Sequence, residues 1–414
     1  MSGTILMGAG LGLMLGAGLA LPAFSGPAAD GATAYLSAVN AAVDGLEKDI
    51  PAITVSAEAA AKRVMATTNH VLSVWGDRGF LEEALGRAGG LAMTRNGHWK
   101  KDAPICEVML VAPKEDKLAD SVSATATNRR SGGLVIGFGR ADLIEKARQE
   151  GGEFDYVVDT HIASNAVPLD PAAQNAALWV WTAEFVSACT RLGGMPAALQ
   201  SISVPGAKER NAPLRGVVIQ PVKVEPIPAG QLAKAYIKAL RDRLALLGGT
   251  EKGNILETAK RAAAAKRAGK GAYVYPFGHS VGNTPGRPGD PGLLPRLAKD
   301  WYTPQKGVTL NTGDFVVVVA YDALFHGEKW NGFAEKMRGA GVGLAWSFTD
   351  YSKEDVAAVA PGEIWIDQHW ALGDAEVTVP GYDVRILPIS GGLAETILGM
   401  VEADMLTQEQ QARK

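Results

Sequence analysis

The side chains best suited to chemistry in this 414-residue chain gather at two strand-to-turn junctions. At 272–283, AYVYPFGHSVGN, an apolar run stops at Gly278, and His279, Ser280 and Asn283 follow. These supply a titratable ring, a hydroxyl and an amide, and His279 is the candidate general acid or base. At 70–79, HVLSVWGDRG, Gly76 is followed by Asp77 and Arg78. A glycine at such a turn lets the backbone approach a ligand closely. Asp77, Arg78, Ser280 and Asn283 either hydrogen-bond that ligand or serve the turn itself. Glu83 stands four residues before Arg87, so the two can pair on one helix face.

Two further pairs, Asp159/His161 and Asp367/His369, have i, i+2 spacing, which points both members to one sheet face wherever the strand continues. Ligand or inter-domain contact suits them. Two residues are too few to hold a metal, and no zinc-type cysteine spacing exists, so no metal site is expected. GHSVG at 278–282 matches the hydrolase elbow, with Asp367 and His369 later in the right chain order. That elbow needs a helix directly after it, whereas 283–295 is rich in Gly and Pro, which argues against Ser280 as a nucleophile. GFGR at 137–140 is too short for a dinucleotide loop, and no cofactor is expected.

Ligands bind an open α/β sheet where its parallel strands end, so these junctions need strands behind them. The first half offers apolar runs at 70–75, 107–112, 134–138 and 156–159, and the second at 272–277, 315–320, 342–347 and 364–367, with a further short one at 384–387. Helical patterns lie between them, at 80–87, 116–130, 142–149, 175–192, 330–337 and 390–405, and long ones precede each half at 32–66 and 229–267. Pro51 breaks the first of these and Gly248-Gly249 the second. Short apolar strands alternating with helices predict parallel sheets covered on both faces.

The halves echo each other. EVMLVA at 107–112 answers FVVVVA at 315–320, and YVVDTH at 156–161 answers IWIDQH at 364–369, both 208 residues apart. HVLSVWG at 70–76 answers AYVYPFG at 272–278 at a distance of 202. The expected organisation is a duplicated α/β unit, at 31–204 and 229–414, joined by a Pro- and Val-rich connection at 205–228.

Apolar residues make up 47% of the chain and charged ones 21%, enough for a core in each half, and the net charge of −3 excludes the basic surface that nucleic-acid binding needs. Cys106 and Cys189 read as two buried free thiols or as one long-range disulfide. Residues 1–30 carry no charge before Asp30, and 5–23 is an apolar, Gly-rich run followed by small residues. That predicts either a cleaved export signal whose basic part lies upstream, or an uncleaved membrane anchor.

The chain resembles the sugar isomerase (SIS) family in a tandem arrangement, over about 32–200 and again 228–406. GFLEEALGRAGGLAM at 79–93, FGHS at 277–280 and IDQHWALGDAEV at 366–377 are similar to segments of one little-characterised SIS branch. The resemblance implies a flavodoxin-like parallel sheet in each half, phosphosugar-type ligands, a site between SIS units and an internal pseudo-dimer able to oligomerise further. It makes Glu83 the natural base for aldose–ketose isomerisation, with His279 as its acid/base partner. The chain departs from the family after the second strand. There a Ser/Thr-rich loop is expected to cradle phosphate, but APKEDKL at 112–118 and AYDALFHGEKW at 320–330 carry acids instead. SVSATAT at 121–127 is a displaced version of that loop, or the ligand is a sugar without phosphate. Two functions fit: an exported sugar isomerase, or a catalytically silent tandem protein that binds a sugar derivative or serves as a scaffold.

Overall fold

A computed structural model describes residues 30–67, 71–97, 107–162, 167–214, 217–276, 285–297, 308–321, 333–349, 356 and 358–413. The chain opens with α1 (Gly31–Lys48) and α2 (Ile50–Ala66). Asp30 caps α1 by accepting from Thr33 N at 2.7 Å. Pro51 sits in the first turn of α2, where a missing N–H costs nothing, so it starts the second helix and thereby divides the helical run.

A five-stranded parallel sheet follows, in the order β2-β1-β3-β4-β5. Its strands are β1 (Leu72–Gly76), β2 (Thr94–Asn96), β3 (Val108–Ala112), β4 (Leu134–Gly139) and β5 (Tyr156–Asp159). Helices α3 (Arg78–Ala84), α4 (Leu118–Arg130), α5 (Ala141–Gln149) and α6 (Asp170–Arg191) connect and cover it. The stretch SVSATAT belongs to the body of α4, where Ser121 and Thr125 are buried, so it is no loop. A bridging segment carries β6 (Met195–Pro196), α7 (Ala207–Asn211) and β7 (Ile219–Gln220), the two strands pairing antiparallel.

The second half repeats the plan with α8 (Gln231–Gly248), α9 (Lys252–Arg267), β8 (Ala272–Pro276), β9 (Phe315–Val319), α10 (Phe333–Gly339), β10 (Gly343–Phe348) and β11 (Ile364–Asp367). Its four strands are parallel in the order β11-β10-β9-β8. The apolar run at 384–387 is not another strand of this sheet: β13 (Arg385–Ile386) pairs antiparallel with β12 (Val377–Thr378). The closing helix is α11 (Ser390–Ala412). The protein is thus α/β, with two parallel sheets flanked by helices.

Alternation along the strands divides the core. Leu72, Val74, Leu110, Ile136 and Val158 of the first sheet, and Val274, Val317, Ala345 and Ile366 of the second, face one continuous apolar core. Helices α1, α2, α6, α8, α9 and α11 fill it between the sheets. The opposite faces carry smaller clusters, Met109, Val111 and Val135 in the first half, and Val316, Val318, Trp346 and Phe348 under α10 in the second.

The helices cross between halves. α1 packs along α11, and α8 packs along α6. Glu184 of α6 accepts from Gly230 N, at the start of α8, at 2.9 Å, and from Thr54 Oγ1 at 2.6 Å. Asp404 holds the same place on α11 and interacts with the backbone of Gly31 at the start of α1. A Cβ on Gly399 would stand 2.0 Å from the Tyr35 ring, and one on Gly31 would stand 2.1 Å from Ala403 O, so both glycines are needed for the close α1–α11 approach. Cys189 is a buried free thiol, and Cys106 lies outside the described residues. Among the described residues no helix is long and apolar enough to cross a membrane.

Candidate functional site

The carboxyl edge of the first sheet opens into a cleft. Asp77 follows β1, Pro113, Lys114 and Glu115 follow β3, and Arg140 follows β4. The first turns of α6 add Asp170 and Gln174, and the second half reaches across with Arg287 and Pro288. The interior is about 40 Å³, room for a few waters in this conformation.

Charges in the cleft are matched. Asp77 is buried and caps α3, its Oδ1 accepting from Gly79 N at 2.8 Å and from Phe80 N at 3.4 Å, while Arg287 Nη2 donates to the same oxygen. Arg140 Nε donates to Asp142 at 3.1 Å and its Nη2 reaches Glu115 at 3.5 Å. Lys114 donates to Asp116 at 3.1 Å. The acids of the 112–118 loop are therefore partnered by bases and do not form the bare repulsive edge that their sequence suggested. Burial pushes the Asp170 carboxyl up, against the pull of Arg140 and Arg287, and Asp77 adds to the rise.

Two buried polar atoms at this edge have no hydrogen-bond partner among the described residues: Thr160 Oγ1 and Gln174 Oε1. Such atoms are rare, and they mark places that a water or ligand completes. The amino end of α6 adds N–H groups without a side-chain cap. The arrangement offers donors from Lys114, Arg140 and Arg287 and acceptors from Asp77, Asp170 and Gln174, the mixed lining that a polyhydroxylated ligand needs.

Of the residues singled out by sequence, Asp77 alone among those described lines this cleft. Arg78 is exposed and pairs with Glu82 at 2.5 Å. Gly76 is explained by its neighbour strand, since a Cβ there would stand 1.9 Å from Ala112 O. Gly278, His279, Ser280 and Asn283 lie outside the described residues. Glu83 is wholly buried, 3.2 Å from Arg87 Nε, and accepts from Trp179 Nε1 at 2.8 Å. It does not line the cleft.

The Asp-x-His pairs share one geometry. His161 and His369 both hold left-handed backbone, φ +53° and +58°. His161 N donates to Asp159 at 3.0 Å and its Nε2 meets Asp49, between α1 and α2, at 2.8 Å. His369 N donates to Asp367 at 2.8 Å and its Nε2 meets Glu251, between α8 and α9, at 3.0 Å. Each histidine thus ties a strand end to the junction between two consecutive helices. Glu251 takes the ring nitrogen that a nucleophilic serine would require, which removes His369 from the hydrolase reading. Among the described residues no cluster of His, Cys, Asp and Glu could hold a metal ion.

At the carboxyl edge of the second sheet the described polar side chains bond one another. Gln368, 208 residues after Thr160, donates to Ala320 O at 2.9 Å and Ser347 O at 3.1 Å, and accepts from Trp370 Nε1 at 2.8 Å. Trp370 packs on Tyr321 with ring centroids 4.8 Å apart, so it is core and not a sugar-stacking face. Arg87, from the first half, lies over Tyr321 and pairs with Asp374 at 3.1 Å. Sequence reasoning missed Arg140, Asp170, Gln174 and Arg287. The signals available were GFGR ending a strand, Asp170-Pro171 opening a helix, and one arginine inside a Gly/Pro-rich excursion.

No family model matches the chain, and no curated protein matches it. Among solved structures it is similar to the C-terminal domain of glucosamine-fructose-6-phosphate aminotransferase from Francisella tularensis, at 12% identity and TM-score 0.48, over 89% of this chain and 96% of that one. It is also similar to tagatose-6-phosphate ketose/aldose isomerase from Escherichia coli, at 10% identity and TM-score 0.46, over 92% of this chain and 93% of that one.

Proposed function

We propose that the chain binds a sugar or sugar derivative in the cleft at the carboxyl edge of the first sheet, as a tandem SIS-type protein. The observation that carries this reading is the cleft itself: matched charges at the ends of parallel strands, with the Gln174 Oε1 in its lining buried and unpartnered among the described residues. The crossed packing of α1 on α11 and α8 on α6 supports an internal pseudo-dimer of two related units. Binding is favoured over isomerisation because Glu83, the base that the resemblance implies, is held inside an ion pair away from the cleft. The apolar run at 5–23 supports an extracytoplasmic setting.

A thermal-shift screen against free, amino and phosphorylated sugars tests the binding. At least one class raises the melting temperature saturably. Arg140→Ala and Gln174→Leu each weaken that ligand by about tenfold, the scale of one charge-assisted or buried hydrogen bond. A screen without any shift, or affinity untouched by both substitutions, overturns the assignment of the cleft. Following the bound sugar by NMR separates binding from turnover: aldose–ketose conversion that is lost in His279→Ala would restore the isomerase reading.

A further inference from the structure

The two halves exchange arginines. Arg87 stands eleven residues after Gly76, the end of β1, and Arg287 stands eleven residues after Pro276, the end of β8. Each side chain reaches the sheet edge of the other half. Arg287 joins Asp77 in the open cleft near the start of α6. Arg87 joins Asp374 and Ser390 at the start of α11.

At the start of α11 four donors converge on one carboxylate. Asp374 Oδ1 accepts from Ile389 N at 3.2 Å and Ser390 N at 2.9 Å. Its Oδ2 accepts from Ser390 Oγ at 2.8 Å and lies 3.1 Å from Arg87 Nη2. This is how a free anion is held at a helix amino end, by N–H groups, a hydroxyl and a guanidinium. Asp374 is fully buried and its backbone is left-handed, φ +49°. A residue held in that conformation is strained, and the strain persists only where surroundings dictate it. Arg87 is also fully buried, and its Nη1 has no partner among the described residues. Among the described residues the guanidinium is therefore not saturated.

We propose that the second half retains an anion site at the amino end of α11, and that the Asp374 carboxylate occupies it as a built-in ligand. The side chain stands where the acid group of a bound molecule would stand, so each chain carries one open cleft and one self-filled site. This rests on the arginine exchange and the helix terminus, and survives if the first cleft binds something other than a sugar.

Asp374→Gly tests it, because glycine accepts φ +49° without strain and its missing side chain has the size and charge of acetate. The variant melts below wild type in chloride. Acetate raises its melting temperature saturably, while wild type and the bulkier pivalate with the variant show no such rise. If the variant does not accumulate folded, refolding from urea restores the native near-UV signal in acetate and not in chloride. An equal acetate response in variant and wild type, or failure to refold in acetate as in chloride, overturns the proposal.

Discussion

The carboxyl edges of the two sheets differ in how their described polar groups are satisfied. In the first, Thr160 Oγ1 and Gln174 Oε1 have no hydrogen-bond partner among the described residues, Arg287 arrives from outside, and water-sized space remains. In the second, Gln368 spans the ends of β9 and β10, Trp370 and Tyr321 stack, and Asp374 takes the donors of α11. Polar satisfaction is what separates them. A buried hydrogen bond contributes modestly to stability, but an unmade one costs its full desolvation. The bonded groups of the second edge add to stability, and the unmade bonds of the first cost it, which is the cost that the proposed ligand would offset.

The comparison breaks most sharply at Arg87. Arg87→Met strands Glu83 and Asp374 as unpaired buried carboxylates, and chemical denaturation should show a loss of about 3–5 kcal/mol. Burial works against the charge of the guanidinium, but Glu83 and Asp374 outweigh it and hold the group ionised. Next in size is Gln368→Leu. It removes the Gln368 donor from the Ala320 carbonyl and leaves the Ser347 carbonyl with the Ala320 N–H alone, for a loss of about 1–3 kcal/mol by the same measurement.

Glu402 sharpens the comparison from the other side, because there the second half is the less satisfied one. Its counterpart on α6, Thr182, bonds Leu178 O at 2.8 Å, whereas the buried Glu402 carboxyl has, among the described residues, no hydrogen bond beyond an interaction with the Leu294 backbone. Burial raises its carboxyl well above the ordinary glutamate range, with Asp290 and Glu395 adding to the rise. A raised native pKa means that the folded state holds the proton more tightly. Its contribution is therefore present at acid pH and is lost as pH rises through the native value. Glu402→Gln should melt higher than wild type at pH 7, and the gain should vanish toward pH 4. The smallest effect is expected at Thr160→Val, which removes a buried hydroxyl without a partner among the described residues and should stabilise by at most about 1 kcal/mol. Destabilisation by that substitution would show that the open edge is more complete than its geometry indicates.

Much of the fold was legible. The apolar runs ending at Ala112, Asp159 and Asp367 specified strands because buried parallel strands need continuous apolar residues. Strand β2, Thr-Arg-Asn, escaped because an edge strand of three polar residues carries no such signal. The site was less legible. Asp77 could be found because it follows a glycine turn, but Arg287 reaches its partner across 210 residues of chain. Glu83 misled for a related reason: its spacing to Arg87 was right, and nothing in the sequence said that Asp374 and Trp179 would draw the pair inside the core.

The packing of α1 on α11 also sets a timetable for synthesis. The ribosome makes α1 long before its partner. The apolar stripe that carries Tyr35, Val39 and Val43 is complete before β1 exists, yet its neighbours on α11 appear only when Ser390–Ala412 is made. At ordinary elongation rates that wait is on the order of tens of seconds. Through that interval the nascent first half carries a helix face without its native cover, so a chain stopped short of Ser390 would leave α1 exposed.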